Sequence, residues 1–506
     1  MDLRRIGFGA AAAALVVALA GPFAHGDANR VADAQGPDDA LLARGKIDHV
    51  VVIVMENRTF DNVFGGDNVV SGHPAPYPGA DAVVPTPIAS AMLVADFDQR
   101  LIPSPAPGSP RPPGPNNWHD TYECVASGAF SNAAWQANAS SPMTCSGLEF
   151  TSPNGPFYYL DVQDRAVYWA IARQFEIGDA FFAPGSTDSY PGHQFIVAGR
   201  SSDADGDEIV DQPFYGYSQY AGTTGCADVL SSSARPGPTP SILVPALGPP
   251  SSPWAVPTMR GFEGECYTAQ TFADKLVERQ HARPQPAATL TWTHYATSTS
   301  IPSPYQGGGA FNGFINSAGW WNHVWPPAKQ VIADAEQGRL PTFAWVKPPC
   351  VPASDHPGPG TGNGGPSWVE DVVNAIGGRP DEWDHTAIFV VWDDWGGFYD
   401  HVVPPSPRAW DRLGPGLRTP FLVISPYVKP GNVAHGTSDY GSILRFVEQL
   451  FDVGSLGGID AHSPDLRGFF DFSTSRPFTP ITAQPTVSWT TLCPRADPRQ
   501  ALDYRD

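Results

Sequence analysis

The chain of 506 residues is 42% apolar and 16% charged, enough for a large buried core and inconsistent with wholesale disorder. Its formal net charge of −21 makes an acidic surface that repels nucleic-acid phosphates and anionic lipid. An anionic substrate would therefore need positive charge concentrated in one place, which a metal ion supplies.

At the N-terminus, Arg4 and Arg5 precede the short apolar run GAAAAALVVALAG, and Ala24-His25-Gly26 offers a small-residue cleavage pattern. Residues 1–26 are expected to be a signal peptide and 27–46 a polar linker, with the mature protein exported to the periplasm or beyond. No later stretch is long and apolar enough to be a transmembrane segment. Six cysteines, Cys124, Cys145, Cys226, Cys266, Cys350 and Cys493, fit an oxidising compartment and up to three disulfides. The short interval makes Cys124–Cys145 the easiest pair to expect.

Strand-like runs follow at 48–55 (DHVVVIVM), 342–348 (TFAWVKP), 386–392 (TAIFVVW) and 420–428 (PFLVISPYV). They are continuously apolar rather than alternating, as in a parallel sheet covered on both faces. Helical periodicity marks 164–175, 269–280, 366–378 and 440–451, with Ser367 and Gly377 as start and stop signals for the third. Strands alternating with helices predict an α/β fold, a mostly parallel central sheet sandwiched by helices. Residues 70–118 and 200–260, rich in Pro, Gly and Ser, read as long loop insertions. Within the second, DADGDE (203–208) has its glycine at the wrong offset for a calcium-binding EF-hand loop and reads as a solvated turn.

The strand ends carry the chemistry. HVVVIVM runs into Glu56-Asn57, and AIFVVW runs into Asp393-Asp394. Ligands bind beyond the carboxyl ends of strands in open α/β sheets, so these carboxylates and one amide point to a shared edge. Bare carboxylates gathered there would repel one another, and a hard cation such as Ca²⁺, Mg²⁺ or Mn²⁺ removes the conflict. The Gly/Pro/Ser-rich turn GSTDSYPGHQ offers Ser186, Thr187 and Ser189 as hydroxyls for a cleft. His119, His294, His356 and His401 each lie beside aromatics or turns, and local sequence does not reveal which of them converge.

The segments HVVVIVMENRTFDNVFGG, ARQFEIGDAFFAPGSTDSYPGHQF, TFADKL with TWTHYA, SDHPG, WDDWGGFYDHVVPP and LRTPFLVISPYVKPG…YGSILRFVEQLF occur in that order across nearly all of 47–452. Together they resemble the bacterial phosphoesterase family of phospholipases C and acid phosphatases, within the alkaline-phosphatase-like superfamily. The resemblance implies a catalytic domain over 47–473, a C-terminal extension over 474–506, and metal ligation by Glu56, Asn57, Asp393 and Asp394 with Ser189. It makes Ser189, four residues before His193, the nucleophile that forms a phosphoserine intermediate, and it sets His119, His294 and His356 around the phosphoryl group.

A protonated His356 or His294 is the expected proton donor to the leaving group. For Asp400 and His401 a structural role is expected, orienting the loop after the metal pair. Ser189-Tyr-Pro-Gly-His193 is closer to the acid-phosphatase-like branch, although Gly192 departs from its usual Asn. The expected substrate is thus a small phosphate monoester. The alternatives are a phospholipase C acting on phosphodiester lipids and an inactive exported binding protein with the same fold.

Overall fold

A computed structural model describes residues 39–66, 75–82, 159–160, 162–184, 189–201, 269–282, 289–296, 327–356, 363–396, 398, 400–402, 404–405, 415–466, 468–485 and 487–493. The candidates His119, Ser186 and Thr187 lie outside these residues, as do the signal-peptide segment, DADGDE and all the cysteines except Cys350 and Cys493.

Seven strands form the central sheet. In chain order these and two short strands are β1 (His49–Met55), β2 (Glu176–Gly178), β3 (Phe181–Phe182), β4 (Trp292–Tyr295), β5 (Phe343–Val346), β6 (Thr386–Trp392), β7 (Phe421–Ile424), β8 (Asn432–Ala434) and β9 (Ser438–Asp439). The spatial order is β4-β5-β1-β6-β7-β2-β8, while β3 and β9 pair separately. Strand β1 lies between β5 and β6 and is parallel to both, with Val50 opposite Phe343 and Ala387. All residues of β5 and β6 are buried, the reason these strands read as unbroken apolar runs. Strand β7 is the exception to the parallel reading, because it runs antiparallel to both β6 and β2. An apolar run reports burial on two faces but carries no information on direction.

The helices used below are α1 (Asp39–Ala43), α2 (Phe60–Phe64), α3 (Ala166–Gln174), α4 (Ser189–Ala198), α5 (Phe272–Ala282), α6 (Gly365–Gly377) and α7 (Tyr440–Phe451). Helix α7 begins with a capping box, in which Asp439 accepts from the Ser442 backbone and Ser442 accepts from the Asp439 backbone. Helix α6 starts two residues earlier than its expected Ser367 cap. Pro366, whose φ is already helical, opens it, and Ser367 turns its hydroxyl back to the Gly364 carbonyl at 3.0 Å.

Two end segments join this core. From Asp39 onward the stretch expected to be linker forms α1, with Ala43 and Ile47 buried. After residue 474, Phe478 stacks near Phe175 and Trp383, Trp489 packs edge-on against Trp368, and Cys493 forms a disulfide with Cys350.

Candidate active site

Strands β4, β5, β1 and β6 are neighbours with one direction, so their carboxyl ends meet at one edge. That edge carries His294 on β4, Lys347 just after β5, Glu56-Asn57 just after β1, and Asp393-Asp394 just after β6. All are buried, and Ser189 joins them as the first residue of α4. The Ser189 hydroxyl lies 2.8 Å from Asp394 Oδ2 and 3.1 Å from Asn57 Oδ1, to either of which it can donate. The helix approaches this closely because residue 192 is Gly, where a Cβ would collide with the backbone carbonyl of Asp393.

Each carboxylate has one oxygen tied down. Asp393 Oδ1 accepts the backbone N–H groups of Asn57 and Asp394, both at 2.9 Å. Asp394 Oδ1 accepts the Gly396 N–H at 2.5 Å, and Glu56 Oε1 accepts from Lys347 Nζ at 3.0 Å. Asn57 adopts a left-handed backbone (φ 61°), a conformation Asn tolerates better than most residues. By contrast, Glu56 Oε2 and Asp393 Oδ2 are buried without a hydrogen-bond partner among the described residues. Burial, then the charges of Glu56 and Asp394, push the Asp393 carboxyl well above its ordinary range. Buried, unpaired oxygen atoms in a crowd of like charges are what a hard divalent cation satisfies, so the residues fit a metal site. Glu56, His193 and Asp393 can each present a ligand atom within 4.8 Å of the others.

A second acidic group, Asp61, Asp400 and His401, resembles this one in composition but is already filled. Buried Arg418 donates to Asp400 Oδ1 at 2.7 Å and to Asp61 Oδ1 at 3.3 Å. His401 Nδ1 lies 2.7 Å from Asp61 Oδ2. Burial disfavours the His401 imidazolium, but the hydrogen bond and charge of Asp61 outweigh it and raise the pKa to about 9. Asp400 also accepts the Asp61 backbone N–H at 3.1 Å, which ties the loop after the acidic pair to α2. This is scaffold, in line with the structural role expected of Asp400 and His401.

The histidines divide. Burial, then Lys347 and His193, push His294 down to about 3, so it is neutral at pH 7. Burial beside an ammonium thus disfavours the charged form that a proton donor at His294 requires. His356 sits on a loop pinned to the site, because the Glu56 N–H donates to Ser354 O at 2.8 Å and Arg58 to Asp355 O at 2.8 Å.

Two site residues escaped the sequence reading. His193 appeared there only as a marker for Ser189, yet its Nε2 lies 3.3 Å from both Glu56 Oε1 and Asp393 Oδ2. Lys347 falls in sequence at the end of an apolar strand run, which marks no function. The available signal was its position, a cation directly following a fully apolar strand, as Glu56 and Asp393 do.

The model of the Phosphoesterase family matches residues 47–454. The chain belongs to this family. A non-hemolytic phospholipase C of Burkholderia pseudomallei is 25% identical over 80% of this chain and 55% of its own length. A second, from Pseudomonas aeruginosa, is 23% identical over 80% of this chain and 54% of its own. The chain thus spans about half the length of these relatives. Phospholipase C A of Mycobacterium tuberculosis is 23% identical over 91% of this chain and 84% of its own length. A solved protein of the alkaline phosphatase superfamily from Vibrio parahaemolyticus aligns over 60% of this chain and 64% of its own, at 13% identity and a TM-score of 0.31. That likeness is too slight to carry an argument.

Proposed function

We propose that this phosphoesterase-family chain is a metal-dependent hydrolase of phosphate esters that works through Ser189. The reading rests on one observation: a buried serine hydroxyl within hydrogen-bonding reach of Asp394 and Asn57, beside buried carboxylate oxygens that make no hydrogen bond among the described residues. Glu56, Asn57, Ser189, Asp393 and Asp394 would hold the ion, with His193 at hand. A divalent ion bound there supplies Lewis-acid charge that makes the serine oxygen a better nucleophile and offsets phosphoryl charge.

The chain's own residues account for the remaining steps. Ser189 Oγ attacks phosphorus in line with the leaving oxygen and becomes phosphoserine, which water then hydrolyses. Its position at the N-terminus of α4 favours the negative charge that develops there. His294, at the same sheet edge, is a further donor on the family resemblance. His356, on the loop tied to Glu56, is the candidate proton donor to the leaving alkoxide. His119 is a further donor on the family resemblance.

Two substrate classes remain in play, each with its own support. The Ser189-Tyr-Pro-Gly-His193 turn favours a small monoester, whereas the names of the relatives favour phospholipid diesters. Rates with p-nitrophenyl phosphate and p-nitrophenyl phosphorylcholine separate them. Ser189→Ala is expected to abolish both activities and to leave the folded protein intact; a variant with full activity would remove Ser189 as nucleophile. Metal-dependent turnover of either ester would also dispose of the inactive binding-protein alternative. Export of the protein is part of the same reading and is supported by the Cys350–Cys493 disulfide. No helix among the described residues is long and apolar enough to cross a membrane.

A further inference from the structure

The feature of the site that neither the motifs nor the family match accounts for is Lys347. Its Nζ lies 3.0 Å from Glu56 Oε1 and 2.8 Å from His193 Nε2, so it contacts two of the three residues that could together hold an ion. The side chain is 7% exposed and Glu56 is fully buried, which makes this a desolvated ion pair rather than a surface one. Ser189, Asn57 and Asp394 meet in the same cluster, where Glu56 Oε2 and Asp393 Oδ2 make no hydrogen bond among the described residues and Asp393 Oδ2 lies 3.3 Å from His193 Nε2.

We infer that Lys347 is the resident cation of the carboxylate cluster, holding Glu56 Oε1 and His193 and thereby limiting the cluster to one divalent ion. The inference rests on the metal-dependent reading above. Charge counting supports it, because the carboxylates of Glu56, Asp393 and Asp394 are balanced by one ammonium and one divalent ion. With two divalent ions beside the lysine, the buried cluster would carry excess positive charge and Glu56 would have to leave its partner. Without the lysine, one ion leaves a buried negative charge unbalanced, which draws cations more strongly. Lys347 is a positioning residue in this account: it acts on the ion through Glu56 and His193.

The test is Mn²⁺ binding, followed by electron paramagnetic resonance and calorimetry on the full chain, for the natural protein, Lys347→Met and Lys347→Arg. The expectation is one Mn²⁺ for the natural protein and for Lys347→Arg. Lys347→Met should bind its first Mn²⁺ about tenfold more tightly or take up a second, and its metal-free form should melt at a lower temperature. Damage to the fold alone would weaken Mn²⁺ binding, so the direction of the change identifies the cause. If Lys347→Met fails to fold, Lys347→Gln carries the same comparison. Equal stoichiometry and equal or weaker affinity in the neutral variants would overturn the inference while leaving the metal reading intact. A natural protein that binds no Mn²⁺, Mg²⁺ or Ca²⁺ would instead overturn the metal reading itself.

Discussion

Gly396→Ala tests how the two acidic loops hold each other. Gly396 has φ 65°, and a Cβ there would lie 2.7 Å from the Asn57 carbonyl carbon and closer still to its oxygen. Carbon contacts are comfortable at about 3.5 Å, so the loops must part by about 1 Å. The left-handed backbone adds roughly 1–2 kcal/mol of strain for a residue with a Cβ. The same movement pulls Asn57 away from Ser189 Oγ and loosens the Gly396 N–H bond to Asp394. A misplacement of about 1 Å at a reacting group costs on the order of 10²-fold. The expected result is a kcat/KM reduced about 100-fold for p-nitrophenyl phosphate, with a cooperative thermal transition shifted down by only a few degrees. An alanine variant within threefold of the natural rate would refute the claim that backbone contact between the loops sets the nucleophile (a threshold of about 0.65 kcal/mol).

Three further predictions concern stability. Arg418→Ala strands the buried carboxylates of Asp61 and Asp400, so urea unfolding should show a loss of about 3–5 kcal/mol; a loss below ~1 kcal/mol would mean that water replaces the guanidinium. Replacing Cys350 and Cys493 together by Ala opens a loop with a sequence separation of 143 and should cost about 2–5 kcal/mol by the same measurement, whereas an unchanged midpoint would exclude a stabilising crosslink. The third concerns pH. Burial raises Asp355 and Asp400 to about 6, and burial with Asp460 raises Glu448 to about 9. Against the cost of burial, Asp61 raises His401 to about 9. A group with a raised pKa contributes fully below its unfolded value and loses that contribution as pH climbs through the folded one. The urea midpoint of the EDTA-treated protein should therefore fall between about pH 5 and pH 9, and a rise across that window would contradict these assignments.

Local pattern was sufficient for several elements. The runs 48–55 and 386–392 form β1 and β6 nearly as read, and 440–451 is helical end to end. Glu56, Asn57, Asp393 and Asp394 could be picked out because each pair directly follows a buried strand. A strand's length and apolar character are written in its own residues. Parallel packing then sends both ends to one edge. Ser189 was distinguishable from Ser186 and Thr187 only through the family motif, because all three are ordinary turn residues locally.

What the sequence determined by itself was the inventory: apolar strands, the acids that follow them, and a serine turn spaced four residues from a histidine. Tertiary structure decided which of these meet. The order β4-β5-β1-β6 sets Lys347 beside Glu56 and His294 near Lys347, although they are separated by tens to hundreds of residues in sequence. It also decided that one acidic cluster is filled by Arg418 while the other keeps carboxylate oxygen atoms that make no hydrogen bond among the described residues. Burial beside Lys347 lowers the His294 pKa, against the charged form expected of a proton donor. The physical reason is common to all three: desolvation and pairwise charge depend on distances through space, which neighbours along the chain do not specify.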